Sequence, residues 1–535
     1  MRRLIIETLS IVVLLLVSHT SALADKPRLV VNIIVGSLSD SDLDRYSANF
    51  ADGGFKLLME SGVRYHNAHL DYANTSTAAG LATIATGTEP ATHGVVGTHW
   101  WNYVDGSYVE LIFDNKAHAV EPSTGTGKYS PHRLNSPTLG DMLLMQNSES
   151  KSCTIAVDPL SAILLAGKQG VAYWAETKQT RWTTSSAYVE NLPKWVSEYN
   201  REAQNQMYQI KRWRPLYGAK HYINSEVAVL EGITGKTTTL ISDVNLHLAN
   251  NDFGKMCYTP AGNTMLLKFA FQYITKESLG KDEHPDIINI SLDTARYIAE
   301  TYGTESMEYE DMLYRLDKDI EDFLVRLYAQ FKHKEDVVVT LTSYHGTSPS
   351  YNIKGDTSRE RFNIGQMEVL VNAFLGAKYG SDKYILGFAN KALYLNHTLL
   401  NSKRMDIPTI REEVATFLLQ MRGISSAISS TALRNTYFGA GRSRLIQQSF
   451  YPTRSGDVII DLLPGWIFER DGIRSSSDGG YNYDRNVPLV IYSGGKSESV
   501  EREVSISALA PTLAYILGIE RPWAATESAL YEFRK

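Results

Sequence analysis

Apolar residues along this chain gather into short continuous runs. The clearest are Leu29 to Val35, Cys153 to Val157, Ile287 to Leu292, Val337 to Leu341 and Val487 to Tyr492. Runs of this length without a polar face predict strands buried on both sides, as in a parallel sheet. Between them the spacing becomes helical. Tyr309 to Phe331 repeats Leu313, Leu316, Ile320, Phe323, Leu324 and Leu327 along one face. Thr77 to Thr86 is rich in small residues and stops at Gly87, and Ile506 to Leu517 and Thr409 to Met421 read as further helices. Strands alternating with helices predict a layered α/β fold, with a mostly parallel central sheet flanked by helices.

Two stretches interrupt the pattern. Residues near 165–285 are rich in Trp and Tyr and poorly periodic, and residues near 346–455 mix short strands with a helix. No Gly/Ser-rich or Pro-rich linker separates either, so both read as insertions in one domain spanning 25–535. The amino terminus has a different logic. Arg2 and Arg3 precede the apolar run Ile11 to Val17, and Ser21-Ala22-Leu23-Ala24 follows. This is the layout of a secretory signal over residues 1–24, with cleavage before Asp25. The run is shorter than the roughly 20 apolar residues that cross a bilayer. The expected location is the periplasm or another exported compartment, with no transmembrane span after cleavage.

Composition narrows the picture further. The net charge of -6 is spread over mixed acidic and basic residues. No basic block is available to neutralise a phosphate backbone, which argues against nucleic acid as a partner. The 31 Tyr and 8 Trp predict extensive aromatic packing and an aromatic surface able to meet a protein or envelope partner. An oxidising compartment would permit Cys153 and Cys257 to pair, but spacing does not decide it. Cys153 lies in an apolar run and reads equally well as a buried thiol.

In open α/β sheets the chemistry collects beyond the carboxyl ends of the strands. The segments to inspect are therefore Gly36-Ser37, Asp293 to Glu300, Ser343-Tyr344-His345 and Asp471 to Asn486. A pair of catalytic divalent ions needs about six shared ligands. These segments supply few, and the last contains no histidine, so the residues alone do not predict such a centre. Thr77 follows Asn74-Thr75-Ser76 at a helix start. It can be a nucleophile beside backbone N–H groups that favour an oxyanion, or a capping hydroxyl. No G-x-S-x-G or H-E-x-x-H motif is present.

The ordered motifs nevertheless form a recognisable series. Arg28 to Val35, Gly53-Gly54-Phe55-Lys56-Leu57-Leu58 and Gly62-Val63 open it. Thr77-Ala78-Ala79-Gly80, Ala85-Thr86-Gly87, Pro90 to Gly97 and Trp100 follow, then Ser130-Pro131-His132-Arg133-Leu134, Ala162 to Trp174 and Trp213 to Tyr217. Arg315-Leu316-Asp317, Tyr483-Asp484, Val487-Pro488 and Leu509-Ala510-Pro511-Thr512 complete it. Together they resemble the alkaline phosphatase superfamily, in particular the PafA-like periplasmic phosphate monoesterases related to nucleotide pyrophosphatase/phosphodiesterases.

The resemblance implies an alkaline-phosphatase-like core, two zinc ions and a Thr or Ser nucleophile between them. Thr77 holds the nucleophile position. The carboxylate ligand after the first strand falls at Gly36, which has no side chain. The D-x-x-x-H pair falls at Arg296 and Glu300, or in another register at Asp293 and Tyr297. The D-H dipeptide falls at Tyr344 and His345, and the last histidine at Ser477 or Asn486. An Asn that helps bind phosphoryl oxygens falls at Thr98, and His132 and Arg133 lie in the segment that carries basic substrate-binding side chains.

Of six expected ligands only His345 is kept, so no zinc cofactor is expected. The chain reads as a pseudoenzyme acting as an envelope scaffold or interaction protein. A phosphoric-ester hydrolase using Thr77 is the alternative. A metal-free binder of phosphorylated or sulfated ligands, using Thr77, Thr98, His132 and Arg133, is another. Arg296 and Glu300 stand at i,i+4 and can pair, which would put a side chain's charge where zinc's would be.

Overall fold

The computed structural model describes residues 26–120, 127–176, 181–207, 213–224, 253–349 and 360–534. The secretory signal and its cleavage site lie outside the described residues, as do parts of both expected insertions. Thirteen strands build the nine-stranded and four-stranded sheets. They are β1 (Leu29–Val35), β2 (Val63–His69), β3 (Ser152–Ala156), β4 (Val171–Glu176), β5 (Arg181–Thr183), β6 (Asp286–Leu292) and β7 (Val337–Thr342). After them come β8 (Ile385–Ala389), β9 (Ala392–Leu395), β10 (Ile424–Ser429), β11 (Val458–Leu462), β12 (Asn486–Tyr492) and β13 (Glu498–Ser505).

The central sheet has nine strands in the order β13-β2-β12-β7-β1-β6-β3-β4-β5. β7, β1, β6, β3 and β4 run parallel, β13 is parallel to β2, and β12 is antiparallel to both its neighbours. All five strands expected from apolar runs are present, because each is buried on both faces. The register also aligns a polar row through the core. Thr340 donates to Asn32 at 2.8 Å, Asn32 to Asn289 at 2.8 Å and Asn289 to Thr154 at 3.0 Å, across four adjacent strands. A buried polar network of this kind is tolerable only because each member is satisfied, and it fixes the register.

Helices cover both faces. α1 (Thr77–Thr86) begins at an N-cap where Ser76 Oγ accepts from the Ala79 amide, and it ends at Gly87 in the left-handed region (φ 69°). α2 (Pro159–Ala166), α3 (Thr294–Tyr302) and α4 (Met307–Tyr328) follow β3 and β6. The long helix predicted at Tyr309 to Phe331 is α4. It starts earlier because Ser306 caps it, and it ends at Tyr328. The predicted Thr409 to Met421 helix is Ile407–Leu418, and Ile506 to Leu517 opens as a short 3-10 turn before its α-helix at Leu509–Leu517. Among the described residues no helix is long and apolar enough to cross a membrane.

Part of the region expected as an insertion near 165–285 belongs to the central sheet, since β4 and β5 form one edge of it. Aromatic packing masks its periodicity: Trp182 stacks on Phe269 with ring centroids 4.4 Å apart. Residues 361–468 carry a separate unit of packing, the four-stranded sheet β8-β9-β11-β10 with a hydrophobic cluster of its own. Its end lies beyond the expected 455, at β11 and the short strand Ile467–Phe468. Both cysteines are buried in the main core, and Cys153 is a thiol whose pKa burial pushes up.

Candidate active site

Four adjacent parallel strands deliver the site. At their carboxyl ends β7 presents Tyr344 and His345, β1 presents Gly36, β6 leads through Asp293 into α3, and β3 leads through Asp158 into α2. Thr77 opens α1 over the same end. Its hydroxyl lies 3.0 Å from His345 Nε2, and His345 Nδ1 lies 2.7 Å from the Gly346 carbonyl. A carbonyl only accepts, so Nδ1 carries the proton and Nε2 accepts from Thr77. His345 is 1% exposed, and burial pulls its pKa down to about 3. The imidazole is neutral, and a poor base by the same token.

Gly36 stands in a crowded place. A Cβ added there would lie 2.2 Å from Tyr344 Oη and 2.8 Å from Arg296 Cβ. The phenol of Tyr344 reaches across to Asp293 Oδ1 at 3.2 Å. The same oxygen accepts from Ser161 at 2.7 Å and Ser291 at 3.1 Å, while the Asp158 amide donates to Oδ2 at 3.2 Å. Asp293 is fully buried, and burial together with the neighbouring Asp158 carboxylate raises its pKa to about 6. The close fit continues on the helix side. A Cβ at Gly80 would fall 1.8 Å from the Tyr344 carbonyl oxygen, so α1 rests directly on the backbone that carries Tyr344.

Arg296 fills what remains. Its Nη1 donates to both Glu300 carboxylate oxygens at 3.2 and 3.3 Å, and its Nη2 to Asp158 Oδ2 at 3.1 Å. The guanidinium lies over the Tyr297 ring at 4.5 Å, and Tyr297 Oη donates to Asp158 at 3.1 Å. Burial opposes the charge on Arg296, but Glu300 and the surrounding acidic groups outweigh it and hold the group cationic. The i,i+4 pair anticipated from spacing is therefore present, and Asp158 joins it from another strand.

The remaining predicted positions are dispersed. Ser477 borders Thr77 indirectly, its carbonyl accepting from Thr75 Oγ1. Asn486 turns its amide to the backbone carbonyls of His66 and Ala68 on β2. Thr98 is exposed and bonds His99 Nδ1 at 3.1 Å. His132 contacts Ser130 Oγ at 2.9 Å, and Arg133 donates to the Phe113 carbonyl at 2.5 Å. Among the described residues, no hydrogen bond or ion pair joins Thr98, His132 or Arg133 to Thr77.

A zinc pair does not fit this arrangement. The space a Gly36 carboxylate would need is taken by Tyr344 and Arg296, and a fixed guanidinium repels a cation. Among the described residues the one group of three His, Cys, Asp or Glu with converging ligand atoms is Asp40, Asp44 and His66. There Arg64 already contacts Asp40 at 3.0 Å and Asp44 at 2.8 Å.

Sequence reasoning missed Asp158, although the rule of reading the residue just beyond each strand reaches it directly. It also missed a buried set that locks the loops beside Thr77. Lys391, at the β8–β9 turn, pairs with Asp461 and donates to the Ala73 carbonyl at 3.2 Å and the Gly479 carbonyl at 3.3 Å. Arg442 pairs with Asp461 at 2.6 Å. A lone acid inside the apolar run Val458-Ile459-Ile460-Asp461-Leu462 was the available signal.

Comparison with known proteins agrees with this architecture. A type I phosphodiesterase/nucleotide pyrophosphatase family model matches residues 30–480. The chain is 27% identical to alkaline phosphatase PafA of Elizabethkingia meningoseptica, over 95% of this chain and 94% of that one. It is 30% identical to a Myroides odoratus protein named calcium-transporting ATPase, over 93% of each. The crystal structure of wild-type PafA superposes with a TM-score of 0.87 at 26% identity, covering 95% of this chain and 99% of that one. The chain belongs to the type I phosphodiesterase/nucleotide pyrophosphatase family of the alkaline phosphatase superfamily, in its PafA-like branch.

Proposed function

We propose that this chain is a non-hydrolytic member of its family, exported to the cell envelope, where it acts by binding a protein or envelope component. One observation carries the reading. Tyr344 and Arg296 occupy the space beside Gly36, and Arg296 is itself held by Asp158 and Glu300. Without divalent ions, nothing lowers the pKa of the Thr77 hydroxyl or stabilises a leaving oxygen. The framework around the site, by contrast, is kept at full length. The test is turnover of an aryl phosphate ester by the mature protein supplied with zinc. Wild type and Thr77→Ala should give the same background rate. Turnover by wild type that disappears in Thr77→Ala would overturn the reading.

The Thr77–His345 hydrogen bond favours a second reading, a phosphoric-ester hydrolase with Thr77 as nucleophile. The buried, weakly basic imidazole counts against it, and the same assay separates the two. Metal-free binding of phosphorylated or sulfated ligands has less support. Arg133 and His132 are turned to Phe113 and Ser130, and the nearby cations Arg296 and Arg470 are each engaged by acids.

A further inference from the structure

We propose that Arg296 is the resident cation of this pocket: it bridges Asp158 and Glu300 as a divalent ion would, so that its removal creates a site for a divalent cation. This rests on the metal-free reading above. The carboxylates arrive from separate parts of the fold. Asp158 caps α2 after β3, while Glu300 lies near the end of α3, one turn beyond Arg296. The guanidinium fork is what joins them, with Nη1 on Glu300 and Nη2 on Asp158. Its side chain is 12% exposed and theirs are 21% and 24% exposed, so solvent compensates their charges only in part. The planar fork suits two carboxylates better than a lysine would.

Asp293 adds a third acid behind Asp158, through the Asp158 amide. The next cation, Arg470, pairs with Asp478 and also lies within the electrostatic reach of Glu300. Deleting the guanidinium therefore leaves two facing, partly buried carboxylates with a vacated volume between them. Carboxylate oxygens suit hard divalent ions.

The experiment compares melting temperatures of the full mature protein with and without excess Mg²⁺, and separately Zn²⁺. Wild type should show no shift with either ion. Arg296→Ala and Arg296→Gln should melt several degrees lower, and at least one ion should restore half or more of the loss. The double variant Arg296→Gln/Glu300→Gln, which removes both charges, should melt above Arg296→Gln and lose the metal response. A single Arg296 variant that melts like wild type would overturn the proposal, as would a destabilised one that no ion rescues. If Arg296→Ala does not fold, the Gln variants decide. Zinc bound by wild type would instead contradict the reading of the native site, so the two failures are distinguishable.

Discussion

Gly36→Asp should destabilise the protein by about 3 kcal/mol or more, although the family resemblance places a carboxylate ligand at that position. The Cβ alone would sit 2.2 Å from Tyr344 Oη and 2.8 Å from Arg296 Cβ. Neither neighbour can yield cheaply. Tyr344 is fully buried and tied to Asp293, and Arg296 is tied to Asp158 and Glu300. Overpacking of this kind costs about 1–3 kcal/mol. The added carboxylate would also be buried close to Asp293, and an uncompensated buried charge costs several kcal/mol more unless it takes up a proton. Urea denaturation reads the effect as a lower midpoint. Wild-type stability in Gly36→Asp would mean that the space is open after all, and the case against zinc would lose its main support.

Asp461→Asn should cost about 3–5 kcal/mol, the range for removing one partner of a buried ion pair. Asp461 is fully buried on β11, between Lys391 at 4% exposure and Arg442. Those two cations do more than pair with it. Lys391 also holds the Ala73 and Gly479 carbonyls, and Arg442 holds Gly479 and Gly480. Asn390, beside Lys391 in the turn, donates to the His99 carbonyl at 2.6 Å. Both turn residues are non-glycine with positive φ, 52° and 65°, a conformation that persists only where the surroundings impose it. The hairpin tip is thus wedged among the segments that precede Thr77, follow Thr98 and lead into Asp484. Loss of Asp461 leaves Lys391 and the partly exposed Arg442 close together, with the nearby Asp484 carboxylate offsetting only part of their charge. Equilibrium denaturation measures the result, and a change below about 1 kcal/mol would show that the pair behaves as a surface contact.

What the sequence made legible follows from how each feature is encoded. The five strands buried on both faces announce themselves as apolar runs. β2 and β13 do not, because Arg64, His66 and Asn67 interrupt one, and the other is an exposed edge with Glu498, Glu501, Arg502 and Glu503. The Arg296–Glu300 pair was readable since its partners are one helical turn apart. Asp158 stands just beyond a strand and was reachable as a position, but its pairing with Arg296 was not, because the two meet across 138 residues. Thr98, His132 and Arg133 show the reverse limit. Their positions in the motif series suggested a shared binding surface, but each is engaged by a different neighbour: Thr98 by His99 Nδ1, His132 by Ser130 Oγ and Arg133 by the Phe113 carbonyl. Residue identity at an aligned position fixes what a side chain is, while its partners are set by packing.

The measurement that bears most directly on the account is the zinc content of the mature protein, purified with added zinc and then freed of loosely bound metal. The account predicts far less than one ion per chain. About two tightly bound ions per chain, the number a binuclear site requires, would contradict it.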